Sequence, residues 1–306
     1  METSKETVYE LLKACRLCPR ECGVDRTAGH KGYCGCDSRL RVARAALHLW
    51  EEPCISGIEG SGTVFFSGCA LGCVFCQNRP IAKAQTGRYI TLERLREIFL
   101  ELQAQGANNI NLVTAGQYTP LVAEALRQAK TSGLAIPVVY NSGGYELPST
   151  LGLLEGLVDI YLPDLKYYDP AVSQRYAKAP DYFSVAIAAI QEMFRQVGTP
   201  LFDSRGMLRR GLILRHLALP GQGEDSRAIL RYVWETYGHR IYISLMSQYT
   251  PMGEMPDYPE LERKLTPSEY EDLIDYALDL GIENGFIQEG DAAKESFIPP
   301  FDCTGV

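Results

Sequence analysis

The chain has 306 residues, 46% of them apolar, enough for one large core with a compact appendage. Acidic residues outnumber basic ones by 38 to 30, the net charge is −8, and no Lys/Arg run marks a phosphate-tracking surface, so nucleic acid is a poor default partner. No apolar run approaches the roughly eighteen residues of a membrane span, and residues 1–6 hold no apolar signal core. Ten cysteines are too sparse for a disulfide scaffold, and they cluster. In a reducing cytoplasm, the expected compartment, clustered cysteines point to metal.

Residues 1–60 are rich in Cys, Gly and Arg and show little periodicity, and read as a metal-binding segment ahead of the main body. Cys15, Cys18, Cys22 and Cys34 follow the spacing x2, x3, x11, which suits a tetrahedral four-thiolate site. Structural zinc and an iron–sulfur cluster both satisfy that chemistry, zinc being the simpler staple for a segment with so little core. Cys36 lies one residue beyond the set of four with no role assigned by its spacing; His30 and His48 read as ordinary residues, and Cys54 as a small buried hydrophobe.

From residue 63 short apolar runs alternate with amphipathic stretches. Strands are expected at 63–67, 109–113, 136–140, 158–162, 212–217 and 240–246. Helices are expected at 91–105, 120–130, 170–197 and 225–237, with a short one between the third and fourth strands. Six strands separated by helices predict an α/β fold, a partial (β/α)6 barrel over 61–250. A C-terminal helix and docking tail would fill 251–306. Right-handed crossovers put the loops after all six strands at one rim, where chemistry collects.

The first of those loops is Ser67-Gly68-Cys69-Ala70-Leu71-Gly72-Cys73-Val74-Phe75-Cys76. Cys-x3-Cys-x2-Cys puts three thiolates on one short loop. Iron–sulfur clusters usually take four, so three leave one iron open to a ligand.

Cys-x3-Cys-x-aromatic-Cys after the first strand, with Phe75 at the aromatic position, resembles the radical S-adenosylmethionine (SAM) signature. The wider pattern is similar to an uncharacterised branch of pyruvate formate-lyase activating enzyme homologues. It rests on Cys18-Pro19-Arg20, Glu51-Glu52-Pro53-Cys54, Cys76-Gln77-Asn78, Asp164-Leu165-Lys166 and Arg215-His216-Leu217-Ala218-Leu219-Pro220-Gly221. The resemblance implies a [4Fe–4S] cluster on Cys69, Cys73 and Cys76, with SAM chelating the fourth iron. It implies reductive cleavage of SAM to a 5′-deoxyadenosyl radical and hydrogen abstraction from a substrate. It further implies SAM contacts at Phe75, Gly116, Asn141 (the ammonium), Asp164 (the ribose) and Lys166 (the carboxylate). The activases' Gly-Gly-Glu after the second strand is here Thr114-Ala115-Gly116-Gln117-Tyr118, without its carboxylate.

The implied partners are a protein, peptide or small-molecule substrate, a glycyl radical enzyme among the candidates, and an electron donor such as flavodoxin or ferredoxin. The competing reading is a non-catalytic electron-transfer or scaffold protein holding iron–sulfur or zinc. An electron carrier has no need of the SAM-sized pocket that six rim loops can line.

Overall fold

The structure is a computed structural model describing residues 5–288 and 298–306, with side chains from Val8 onward. Helix α1 (Lys5–Lys13) buries Val8 and Leu12. Then come β1 (Leu40–His48), the one-turn α2 (Pro53–Ser56) and β2 (Ser61–Phe66). The cysteine loop leads to α3 (Arg79–Ala82), β3 (Arg88–Ile90) and α4 (Leu92–Ala104), whose N-terminus Thr91 caps by accepting from Arg94 N. β4 (Ile110–Val113), α5 (Thr119–Thr131), β5 (Val138–Ser142), α6 (Pro148–Leu151) and β6 (Ile160–Pro163) follow. Helices α7 (Pro170–Ala177) and α8 (Tyr182–Val197) precede β7 (Leu201–Phe202) and β8 (Leu208–Leu217). The rest is α9 (Gly223–Tyr237), β9 (Tyr242–Met246), α10 (Pro267–Asp279) and β10 (Gly285–Ile287).

The sheet order is β10-β9-β8-β6-β5-β4-β2-β1-β3, with β7 pairing on β8. The six expected strands are β2, β4, β5, β6, β8 and β9, and they pair in parallel in that order. The sheet ends on β10 and β3 without closing, which is the partial (β/α)6 barrel. Two expectations change. Residues 40–48 form a strand antiparallel to β2, so the N-terminal segment is built into the sheet. Its Arg- and Ala-rich run LRVARAALH hides the alternation that marks a strand. The helix expected over 170–197 is two, broken where Lys178 takes φ +51°.

Side-chain alternation gives the strands two faces. The outer face, including Val64, Phe66, Leu112, Val138 and Leu214, packs with α4, α5, α8 and α9 into the main core. The inner face places Val139, Ile160, Leu162 and Ile213 against Cys54 and Ile55 of α2, a plug across the barrel interior. Cys54 is thus the buried hydrophobe expected. The tail docks on β1, where Cys303 N donates to Ala43 O and Ala45 N to Thr304 O, both at 2.9 Å. Gly305 has φ +73°, and a Cβ there would lie 2.0 Å from Ala45 O, so only glycine fits. Ser296 and Phe297 of the expected tail lie outside the described residues. Among the described residues no helix is long and apolar enough to cross a membrane.

Candidate functional site

Strand β2 delivers the cysteine loop to the rim. Gly68 has φ +95°, and a Cβ there would lie 2.1 Å from Cys36 Sγ, so the N-terminal segment passes directly under the loop. Gly68 N donates to Ile81 O at 2.7 Å and Val74 N to Tyr176 O at 2.9 Å, pinning both ends. Phe75 is 5% exposed, boxed by Tyr167, Tyr176 and Tyr249 with ring centroids 6.4, 6.1 and 6.0 Å away. It anchors the loop by packing edge-on against these rings. Tyr249 donates to Leu261 O at 2.6 Å and serves the same box.

The three thiols keep partial exposure. Burial pushes Cys73 up to about 11 and Cys76 up to about 12, and Cys69 also rises. The Lys166 ammonium opposes this at all three. Tyr167 Oη donates to Cys73 Sγ at 3.2 Å, and the amides of Leu71 and Gly72 face Cys69. Hydrogen-bond donors and a cation around three thiols on one loop are surroundings that metal-bound thiolates would fit. Among the described residues no three such side chains close around a single-ion position.

Opposite the loop lies a buried polar network. Strand β6 ends at Pro163, and Asp164 and Lys166 beyond it pair at 2.5 Å. Arg215 on β8 donates through Nε to Asp164 at 2.9 Å, through NH1 to Glu51 at 3.1 Å and through NH2 to Asn141 Oδ1 at 2.6 Å. Glu51 also accepts from Asn111 at 3.0 Å and Asn141 at 3.3 Å. Burial works against the Asp164 carboxylate, but Lys166 and Arg215 outweigh it and hold the group below its ordinary range. Burial raises Glu51 and Glu52. His216 is locked by Leu165 O at 2.7 Å and Ser226 at 2.8 Å; burial lowers it to about 4, so the neutral ring is a fixed brace for the Asp164–Lys166 loop. The third rim loop joins the mouth at Gly143, where a Cβ would lie 3.6 Å from Leu71 and 3.8 Å from Lys166 Cε.

The expected site residues therefore fall into two groups. Asn141, Asp164 and Lys166 share the Arg215 network. Gly116 borders it through Glu146, where a Cβ would meet Tyr140 Oη at 3.3 Å and Glu146 Oε1 at 3.6 Å. Gln117 bonds Ser67 O and Thr114 O and holds the loop, while Gly221 N donates to Glu269 on α10. Glu146 accepts from Ser142 at 3.1 Å, and burial raises it to about 7. Its native form keeps a proton that the unfolded chain releases near its ordinary 4.5. Stability without cofactors is then expected to fall as pH rises from about 4.5 to 7, by roughly 3 kcal/mol in total. Denaturant titrations across that window should show Glu146→Gln free of this component; parallel pH profiles for parent and variant would rule it out.

The four N-terminal cysteines gather in the loop between α1 and β1, where Cys18 feels the charges of Cys15, Cys22 and Cys34. Arg20 ties this knuckle to the rim. It donates to Ala70 O at 2.9 Å, Leu71 O at 3.3 Å, Ala177 O at 2.9 Å and Lys178 O at 2.6 Å. His48 packs edge-on against Phe65, as an ordinary residue would.

Sequence reasoning passed over Glu51, Glu146, Arg215 and Arg20 as individual residues. For Arg215 a signal existed: an arginine inside the apolar run LILRHL must find a buried partner. Residues 63–233, more than half of the chain, match the Radical SAM superfamily. An uncharacterized protein of Methanocaldococcus jannaschii is 27% identical over 284 residues, which span 90% of this chain and 78% of that protein. The matched span begins in β2, holds the cysteine loop, Lys166 and Arg215, and leaves the N-terminal cysteines outside. With three thiols on the first rim loop and an open parallel barrel around them, the chain belongs to the radical SAM superfamily.

Proposed function

We propose that Cys69, Cys73 and Cys76 hold a [4Fe–4S] cluster beside a SAM site, and that the protein takes a hydrogen from a substrate bound over that mouth. When bound, the cluster supplies the electron that splits SAM into methionine and a 5′-deoxyadenosyl radical. The observation that carries this reading is Lys166. Its ammonium lies within electrostatic reach of all three thiols, next to Gly143 on the third loop. Burial works against that charge, but Asp164 and Cys73 outweigh it and keep it in place. A lysine there suits the SAM carboxylate as a point charge.

Asp164 and the Asn141 amide oxygen are the acceptors for the ribose hydroxyls and the ammonium, each sharing its oxygens with Arg215. Four buried carboxyl groups, Glu51, Glu52, Asp164 and Glu146, face two cations, Lys166 and Arg215. The substrate is a protein, peptide or small molecule, the glycyl radical enzyme of the activase resemblance being one member of that class. The electron comes from a donor such as flavodoxin or ferredoxin. All ten cysteines are free thiols, consistent with a cytoplasmic protein.

The first test is release of 5′-deoxyadenosine when the anaerobically reduced protein meets SAM. Lys166→Ala should then bind SAM about ten- to a hundred-fold more weakly through loss of a charge-assisted contact, with iron content unchanged. Unchanged SAM affinity with reduced turnover would assign Lys166 to the substrate instead.

A further inference from the structure

The chain has a net charge of −8, yet its charges are unevenly placed. Residues 60–92 hold no Asp or Glu at all, and Asp37 is the one carboxylate among residues 26–50. That carboxylate is buried and pairs with Arg39 at 2.6 Å. The fold then lays the two stretches side by side. Residues Leu40, Arg41 and Val42 of β1 pair with Ile90, Tyr89 and Arg88 of β3. Arg41 donates to Gly87 O at 3.0 Å and Gln85 O at 3.2 Å, and a Cβ at Gly35 would lie 3.2 Å from Ala84 Cβ.

Lys31, Arg39, Arg79, Lys83 and Arg88 are all exposed on this flank. Arg79 and Lys83 stand four residues apart across the single turn of α3, on one side of it. Among the described residues none of Arg79, Lys83 and Arg88 is in an ion pair. Two exposed tyrosines flank these cations, Tyr89 with the Arg39 guanidinium 3.9 Å from its ring centre and Tyr33 with that of Arg20 at 4.1 Å. Tyrosine and arginine together are what protein interfaces favour.

The flank adjoins the cysteine loop. Arg79 N donates to Cys76 O at 3.2 Å, so α3 begins one backbone hydrogen bond from a thiol of the loop. Tyr33 meets the loop at Gly72, where a Cβ would lie 3.5 Å from its Oη. In the sheet order the cations lie on the β1–β3 side of β2, and Lys166 with its polar network on the β4–β6 side. Resting on the proposed cluster at Cys69, Cys73 and Cys76, we infer that this flank is the docking surface of an acidic electron-carrier protein. The carrier gives up one electron and the cluster gains it at the Cys76 end of the loop, with no bond made or broken between the proteins. An acidic chain repels such a partner over most of its surface, so a single cationic flank both steers the encounter and sets its orientation.

The test compares the parent with two triple variants. Arg79→Glu, Lys83→Glu, Arg88→Glu reverses the flank. Lys130→Glu, Arg209→Glu, Arg210→Glu makes the same change of charge at the far end of the barrel, where β6 and β8 begin. The probe is flavodoxin, an acidic carrier, reduced photochemically and mixed with each reconstituted protein in stopped flow. At about 0.01 M salt the flank variant should accept the electron at least about tenfold more slowly than the parent, and the far-end variant within about twofold of it. The gap should close toward about 1 M salt, where charges are screened. Dithionite, which needs no docking, should reduce all three proteins to the same extent. Equal slowing in both variants would reduce the effect to net charge, and an unaffected flank variant would leave the cations without this partner; either overturns the inference. Flavodoxin affinity, measured by calorimetry on the same full-length proteins, needs no electron transfer. It should fall in the flank variant alone, and it decides the docking surface even if no reducible cluster forms at the three cysteines, a result that would sink the proposed function instead.

Discussion

Replacing Cys69, Cys73 and Cys76 together with alanine is expected to abolish 5′-deoxyadenosine formation and to remove the iron held at the rim, while the fold persists. The chemistry loses its only ligands on that loop, whereas the loop itself is anchored elsewhere. Gly68 bonds Ile81, Val74 bonds Tyr176, and Phe75 remains in its box of tyrosines. Cys54→Ala is the control: its thiol lies inside the α2 plug, and SAM cleavage should survive the change. The measurements are iron per chain, chromatographic detection of 5′-deoxyadenosine, and circular dichroism to confirm folding. SAM cleavage by the triple variant at the parental rate would dismiss these cysteines as ligands.

Arg215→Met should destabilise the protein by about 3–5 kcal/mol, the range for breaking a buried charge pair by removing one partner. The methionine fills much of the space, so the loss is electrostatic. Glu51 keeps only the amides of Asn111 and Asn141, and Asp164 keeps only Lys166. Against a total stability of roughly 5–15 kcal/mol this is a large fraction. Adding Glu51→Gln removes one of the stranded charges and should recover part of the loss, a coupling that a double-mutant cycle isolates. Urea denaturation of the four proteins gives the answer. A single-variant effect below about 1 kcal/mol would mean that apolar packing, not this network, holds the interior.

The parallel core was legible because its strands are buried on both faces and read as short apolar runs between helices. All six expected strands overlap observed ones. The cysteine loop was equally legible, since three identical ligands within eight residues have little other use. What escaped was set by contacts distant in sequence. β1 shows no clear periodicity until β2 and the tail are placed beside it. Glu51 and Arg215 are 164 residues apart, and each alone passes for a surface charge. Glu146 acquires its character from burial beside Ser142, which its own neighbours do not announce.

Arg20 also bears on the timing of maturation. Its carbonyl acceptors lie 50 and 51 residues downstream in the cysteine loop and 157 and 158 residues downstream at the end of α7. Chains emerge from the ribosome N-terminus first, so the cysteines at 15–34 appear long before the groups that seat them. Contacts this remote close late because the intervening chain must first be ordered. The knuckle reaches its final position only once α7 has been made, so this corner of the fold closes near the end of the chain's synthesis and not at its beginning.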